Sequence, residues 1–295
     1  MKKQALKASV QVMIIASYLF AGSVSAIAQT HFKVPSIQKK WSQDQKPFRI
    51  AGNLYYVGTY DLACYLINTP EGHILINTGL QDSEPMIRKH IEMLGFKFAD
   101  IKVLLATHAH YDHVGAMAKI KKITGAKLMA NEKDAFMLAD GGSTDYSMGG
   151  KGPLFEPVKA DVLFHDIDTV NFGGMLVVAL HHPGHTPGAT SFLFDVRDEN
   201  HTYRVLIANM PSVIVPKLAA VTSYPAIIKD YAYTFDAIKN LRFDIWLSSH
   251  ASQFNLQSKH GTGDGYHPEA FIDRAGCDKE LNELHEDYLK NLDDN

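Results

Sequence analysis

Thr107-His108-Ala109-His110-Tyr111-Asp112-His113-Val114-Gly115 follows directly on the apolar run Ile101-Lys102-Val103-Leu104-Leu105. That run reads as a buried strand. Four metal-competent side chains then fall within six positions, at H-x-H-x-D-H spacing. Such a segment is neither continuous strand nor continuous helix. It reads as a loop that leaves a strand end and enters a helix at about Val114, so its side chains converge on a small volume. Two imidazoles two residues apart suit one divalent ion, and the adjacent Asp112-His113 pair can turn toward a second. Imidazole plus carboxylate without thiolate is a ligand set typical of hydrolytic zinc. A solvated loop that is merely rich in His is the competing reading, and the complete spacing argues against it.

The chain has 295 residues, 46% of them hydrophobic and 21% charged, as in an ordinary globular enzyme. Its opening residues fall outside that pattern. Lys2, Lys3 and Lys7 precede an apolar stretch from Ala8 to Ala21, and the small residues Val24-Ser25-Ala26-Ile27-Ala28 follow. This is the layout of a secretory signal peptide over residues 1–28, cleaved after Ala26 or Ala28. A membrane anchor is disfavoured because the stretch is short, is broken by Gln11 and has no second span after it. The expectation is an exported periplasmic protein whose residues 29–295 form a single domain. Removing the three leader lysines moves the formal charge from −3 to −6. A mildly acidic chain without a Lys/Arg block carries no electrostatic footprint for nucleic acid. The two cysteines, Cys64 and Cys277, make no disulfide framework and are expected to be free thiols.

From Phe48 the pattern is one of short strands: Ile50 to Val57 with a Gly52-Asn53 turn signal, Ala63 to Ile67, and Ile74 to Asn77. Ile87, Ile91 and Leu94 mark a helix over 83–94. After the metal loop come a helix over 114–124, a strand over 126–130 and a helix capped by Asn131. The Gly-rich stretch 139–158 is expected to be a surface loop, with its role open between a flap over the site and a plain connection. Further strands fall near 161–165, 168–172, 175–180, 190–196, 203–208 and 243–247. Helices span about 225–241, capped by Thr222 or Ser223, and 278–292. Strands clustered with helices in both halves favour an α/β (α+β) fold, an αββα sandwich of two mixed sheets flanked by helices.

Two other His-bearing segments sit at strand ends. In His181-His182-Pro183-Gly184-His185-Thr186-Pro187-Gly188, the Gly and Pro around His185 set a tight turn that presents one side chain. His181 and His182 read as structural or solvent-facing. His250, in Leu247-Ser248-Ser249-His250-Ala251-Ser252, follows the last strand. These three blocks, in this order over roughly residues 46–275, resemble the metallo-β-lactamase superfamily, and most nearly its subclass B3. Leu75-Ile76-Asn77-Thr78-Gly79, Ile207-Ala208-Asn209-Met210-Pro211-Ser212 and Ser249-His250-Ala251-Ser252 resemble the GOB-type branch of that subclass. That branch typically has Gln at the first ligand position, where this chain has His108.

The resemblance implies two zinc ions per chain. His108, His110 and His185 would hold the first, and Asp112, His113 and His250 the second. It implies hydrolysis of the β-lactam amide of penicillins, cephalosporins and carbapenems, and so antibiotic resistance. Asp112 would also orient the nucleophile, Ser212 would hydrogen-bond the substrate carboxylate, and Tyr224 and Met148 would line the pocket. The expected partner is a small-molecule β-lactam on a monomeric chain, with no nucleic acid and no membrane anchor. The alternative is another binuclear zinc hydrolase of the same fold, a lactonase, thioesterase or phosphoesterase. Glyoxalase II and lactonase relatives place a metal-bridging Asp where this chain has Asn209-Met210-Pro211, which favours the β-lactamase. Asn77 is a second departure, since many relatives carry Asp there in an L-I-D-x-G run. A metal-binding module without catalysis is the reading from a different class.

Overall fold

The structure, a computed structural model, describes residues 32–261, 263 and 265–293. The expected signal peptide lies outside these residues. Strands β1 (Phe48–Ala51), β2 (Leu54–Tyr56), β3 (Tyr65–Thr69), β4 (Gly72–Ile76), β5 (Ile101–Leu105), β6 (Lys127–Asn131) and β7 (Val162–Phe164) form one sheet in chain order. Strands β8 (Thr169–Phe172), β9 (Met175–His181), β10 (Thr190–Arg197), β11 (Thr202–Ala208) and β12 (Ile245–Ser248) form the other, in the order β12-β11-β10-β9-β8. Both sheets are mixed. Pairing is antiparallel through β4 and parallel from β4 to β7 in the first. In the second only β11 and β12 are parallel.

The central strands are apolar on both faces because each face meets a different core. Tyr65 and Ile67, Ile74 and Ile76, and Val103 and Leu105 join a cluster with Phe192, Phe194, Val205 and Ile207 of the facing sheet. The intervening Leu66, Leu75 and Leu104 join Ile87, Ile91 and Ile120 on the outer helices α1 (Glu84–Met93) and α3 (Met117–Thr124). The period of two therefore sorts side chains between layers. Between those two helices lies α2 (Tyr111–Val114), and α4 (Ala135–Asp140) follows β6. On the far side α5 (Ile227–Asn240) and α7 (Arg274–Asp293), with α6 (Leu256–Lys259) between them, cover the second sheet through Tyr231, Phe235, Ile238, Leu281 and Tyr288. The architecture is the αββα sandwich, with β5 at its expected bounds. Cys64 and Cys277 are buried free thiols.

Several boundaries move for physical reasons. Gly52-Asn53 is a turn between two paired strands, so the expected strand over Ile50 to Val57 is a hairpin. Helix begins at Tyr111 and not at Val114, because His113 N and Val114 N already donate to His110 O. It stops at Gly115, where an added Cβ would lie 2.4 Å from Gln81 N. Asn131 accepts from Lys133 N in a turn and caps no helix, since α4 starts at Ala135. Thr222 and Ser223 likewise lie outside the cap of α5, which falls on Ala226. Among the described residues no helix is long and apolar enough to cross a membrane.

Candidate metal centre

The site forms where strand ends of both sheets meet. His108 and His110 follow β5, His185 lies between β9 and β10, and His250 follows β12. Thr190 N donates to Thr107 O at 2.7 Å, and Ser249 Oγ donates to Thr107 Oγ1 at 3.0 Å. Thr107 is thus a knot between loops from three chain regions. Asn77 completes it: its Oδ1 accepts from Thr107 N at 3.0 Å, and its Nδ2 donates to Thr107 Oγ1 at 3.1 Å. Asn77 itself has φ of 62°, a conformation that Asn tolerates better than most residues. It braces the residue before His108 without contributing charge.

Five imidazoles and one carboxylate converge. His108, His110 and His185 bring ligand atoms within 4.8 Å of one another, as do His108, Asp112 and His113. His250 stands beside the second set, its Nε2 3.4 Å from Asp112 Oδ2 and its ring centroid 4.9 Å from that of His113. Four rings are gripped from behind. His108 Nδ1–H donates to Asn209 Oδ1 at 2.6 Å, His110 Nε2–H to Asp145 Oδ2 at 3.0 Å, and His185 Nδ1–H to Ser212 O at 2.8 Å. His250 Nδ1 lies 3.5 Å from Asp61 Oδ2. Each grip leaves the other ring nitrogen facing inward. His108 Nε2 and both nitrogens of His113 are buried without a hydrogen-bond partner among the described residues.

Electrostatics follow from burial and neighbours. Burial, reinforced by the surrounding imidazoles, holds His108 well below its ordinary value. Burial and the charge of His110 push His185 down to about 3. Burial also opposes charge on His110, but its bond to Asp145 wins and raises it. Burial likewise opposes charge on His250, yet hydrogen bonds to Asp112 and Asp61 hold it up at about 9. Asp112 stays well below the usual carboxylate range because His113 and His250 outweigh its burial.

His182 turns away from the centre, with Nδ1 on Ser191 Oγ at 2.7 Å, and His181 Nε2–H donates to Pro187 O at 2.8 Å. The reversal between them and His185 depends on Gly184. Its φ is 127° and an added Cβ would meet Tyr231 Cγ at 2.8 Å, so only glycine fits.

A cleft of about 1050 Å³ opens over the centre. It is lined by His110, Asp112, His185 and His250, by Met148 and Ser212, and by Lys33, Val34, Pro35 and Ser36 of an N-terminal arm that precedes β1. The arm is pinned where Tyr111 Oη donates to Ser36 O at 2.7 Å. Tyr224 is not among the lining residues. It is 6% exposed, its hydroxyl donates to Asp230 Oδ2 at 2.6 Å, and its ring packs on Tyr146. The Gly-rich stretch lines the cleft through Ser147, Met148, Gly149 and Lys151, and its Asp145 grips His110.

Asp134 escapes sequence reasoning although it joins two ligand loops. Its carboxylate accepts from Ala109 N at 2.9 Å, Thr186 Oγ1 at 2.7 Å and Gly188 N at 2.6 Å. Asp61, Asp145 and Asn209 escape in the same way, as isolated polar residues whose partners are distant in the chain.

A two-sheet sandwich carrying overlapping His/Asp ligand sets along its seam defines a metal-dependent fold of one kind. The metallo-beta-lactamase superfamily model matches residues 59–198, and the chain belongs to that superfamily. It is similar to the class B3 di-zinc metallo-beta-lactamase LRA-12 from an Alaskan soil metagenome, at 59% identity and a TM-score of 0.87 over 88% of this chain and 100% of that one. A beta-lactamase from Chitinophaga pinensis shares 59% identity at a TM-score of 0.86, over 87% of this chain and 97% of its own. The metallo-beta-lactamase GOB-18 from Elizabethkingia meningoseptica shares 51% identity at a TM-score of 0.87, over 90% and 98%. The chain spans about half the length of the curated relatives it matches, hydroxyacylglutathione hydrolases among them.

Proposed function

We propose that this chain is a zinc-dependent β-lactamase that hydrolyses the amide bond of penicillins, cephalosporins and carbapenems. The carrying observation is the pair of inward-facing ligand sets that share His108, on a chain 59% identical to a class B3 di-zinc enzyme along that enzyme's full length. His108, His110 and His185 are assigned to one zinc, and Asp112, His113 and His250 to the other. The residues fit such ions. A buried polar atom left unpaired costs about 1–3 kcal/mol, and a metal ion would satisfy His108 Nε2 and one of the two unpaired nitrogens of His113. Five imidazoles and a carboxylate suit zinc, and each gripped ring presents one lone pair.

When bound, zinc polarises a carbonyl and lowers the pKa of water from about 15.7 to about 7. The protein's own groups do the rest. Asp112, held ionised, accepts a hydrogen bond from the attacking water and so orients it. Asn209, Asp145 and the Ser212 carbonyl fix the imidazole directions. Ser212 Oγ lies 3.2 Å from His185 Nδ1 at the cleft wall, within reach of a substrate carboxylate. The cations among the described lining residues are Lys33 and Lys151, which attract the carboxylate that a β-lactam carries beside its ring. Met148 supplies apolar contact on the same wall.

We further infer that residues 1–28 are a signal peptide, that residues 29–295 act as one monomeric domain, and that the enzyme works in the periplasm. The absence of a carboxylate in Asn209-Met210-Pro211 counts against thioester hydrolysis of the hydroxyacylglutathione type. Purified protein is expected to turn over nitrocefin and a carbapenem, lose that activity with EDTA, and resist clavulanate. Thioester hydrolysis without chelator-sensitive β-lactam turnover would overturn the reading.

A further inference from the structure

We propose that Asp61 is the positioning residue of the second metal site, holding His250 from behind and tying it to the segment that carries Lys40 and Trp41. The inference rests on the assignment of His250 as a zinc ligand. Asp61 lies in the connection between β2 and β3 and is 2% exposed. Its Oδ2 is 3.5 Å from His250 Nδ1, 2.9 Å from Lys40 Nζ and 3.0 Å from Trp41 Nε1. Its Oδ1 accepts from Ser252 N at 3.0 Å, and its main-chain carbonyl accepts from Ala251 N at 2.7 Å. Both neighbours of His250 on its C-terminal side are therefore anchored to the residue that faces its ring. The Trp41 ring lies 5.8 Å from that of His250 and limits its rotation.

The chemistry gives this arrangement a purpose. A carboxylate at Nδ1 orients the ring so that Nε2 points inward, toward Asp112. Lys40, Trp41 and the Ser252 amide donate to the same carboxylate and fix it in place beside the ring. Lys40 and Trp41 precede the residues 59–198 that match the family model, so this control comes from outside the matched region. In the first set, by contrast, Asn209 and the Ser212 carbonyl serve as neutral acceptors for two of the three rings.

The test uses the full mature protein, loaded stepwise with zinc against a competing chelator, with cobalt substitution as a spectroscopic readout. Asp61→Ala is expected to weaken the second zinc equivalent by about 10–100-fold, the range for losing a ligand's outer partner. The first equivalent should keep its affinity, and the cobalt absorption of the second equivalent should change. Asp61→Asn, which retains an acceptor, should recover most of the loss. Equal weakening of both equivalents, or a fall in melting temperature with both affinities intact, would overturn the proposal. If Asp61→Ala does not fold, Trp41→Phe removes the indole N–H that binds Asp61 together with part of the ring beside His250, and selective weakening of the second equivalent is again required. Wild-type protein that binds a single zinc would instead overturn the ligand assignment. Wild-type binding of two zincs with unaltered variants would overturn the role of Asp61 alone.

Discussion

The loops 107–113 and 181–188 are both rich in histidine and both leave strand ends, yet they are used differently. In the first, His108, His110, Asp112 and His113 all reach the centre. The loop after β5 brings the rings of His108 and His110 to 4.7 Å of one another, and the turn of α2 swings Asp112 and His113 round to meet them. In the second, only His185 arrives. His181 closes its own loop onto Pro187, and His182 is buried against Ser191 before Gly184 reverses the chain. Residue type is the same in both loops. Backbone direction decides which imidazole faces the centre.

His185→Ala breaks this contrast most severely. Zinc content should fall toward one equivalent and kcat/KM by at least about 100-fold, beyond the usual effect of losing an outer partner. Metal analysis beside steady-state kinetics checks it. Asn209→Ala leaves every ligand in place but frees the His108 ring, and should weaken zinc binding by about 10–100-fold. Chelator competition measures that step. Lys151→Ala touches only the cleft wall. KM for a β-lactam should rise by up to about fivefold, as expected for one exposed ion pair, with kcat unchanged and the difference fading at high salt.

His182→Gln should have the smallest effect on turnover, leaving kcat/KM and zinc content unchanged; a loss equal to that of His185→Ala would mean that the wrong imidazole has been assigned. Its effect appears in acid stability instead. Burial pushes His182 down to about 4, against an ordinary value of 6.5. Below 6.5 the unfolded chain takes up a proton that the native state refuses until about 4, so stability is full above this window and falls as pH drops through it. The loss is roughly 2 kcal/mol between pH 7 and 5. Urea midpoints at the two pH values should show a slope in the wild type that the Gln variant lacks.

What could be read from the chain tracks how local each signal is. Ile101 to Leu105 is apolar on both faces and adjoins a dense ligand motif, so strand and loop are plain without coordinates. The turn around His185 is equally local, since Pro183, Gly184 and Pro187 write it into consecutive positions. The helix start at Tyr111 is obscured because its first turn is made of the metal-binding residues themselves. Tyr224 is expected at the pocket without any local signal in the chain to place it there. The structure buries its ring and commits its hydroxyl to Asp230. Asp61, Asp134 and Asn209 have no local signature at all. Asp61 reaches Ser252 across 191 positions, and Asn209 reaches His108 across 101.

The bond from Thr190 N to Thr107 O has a kinetic consequence. It crosses from one sheet to the other, beside ligands drawn from residues 108 to 250. Residues 108–113 hold four of the six groups in any conformation, but His185 and His250 join them only after the two halves have docked, so the complete site exists only in the folded chain. Zinc therefore favours the native state, adding at most about 2.7 kcal/mol of stability at a hundredfold excess over its dissociation constant. Contacts completed after the folding barrier slow unfolding without hastening folding. The metal thus behaves as a latch on the seam between the two sheets.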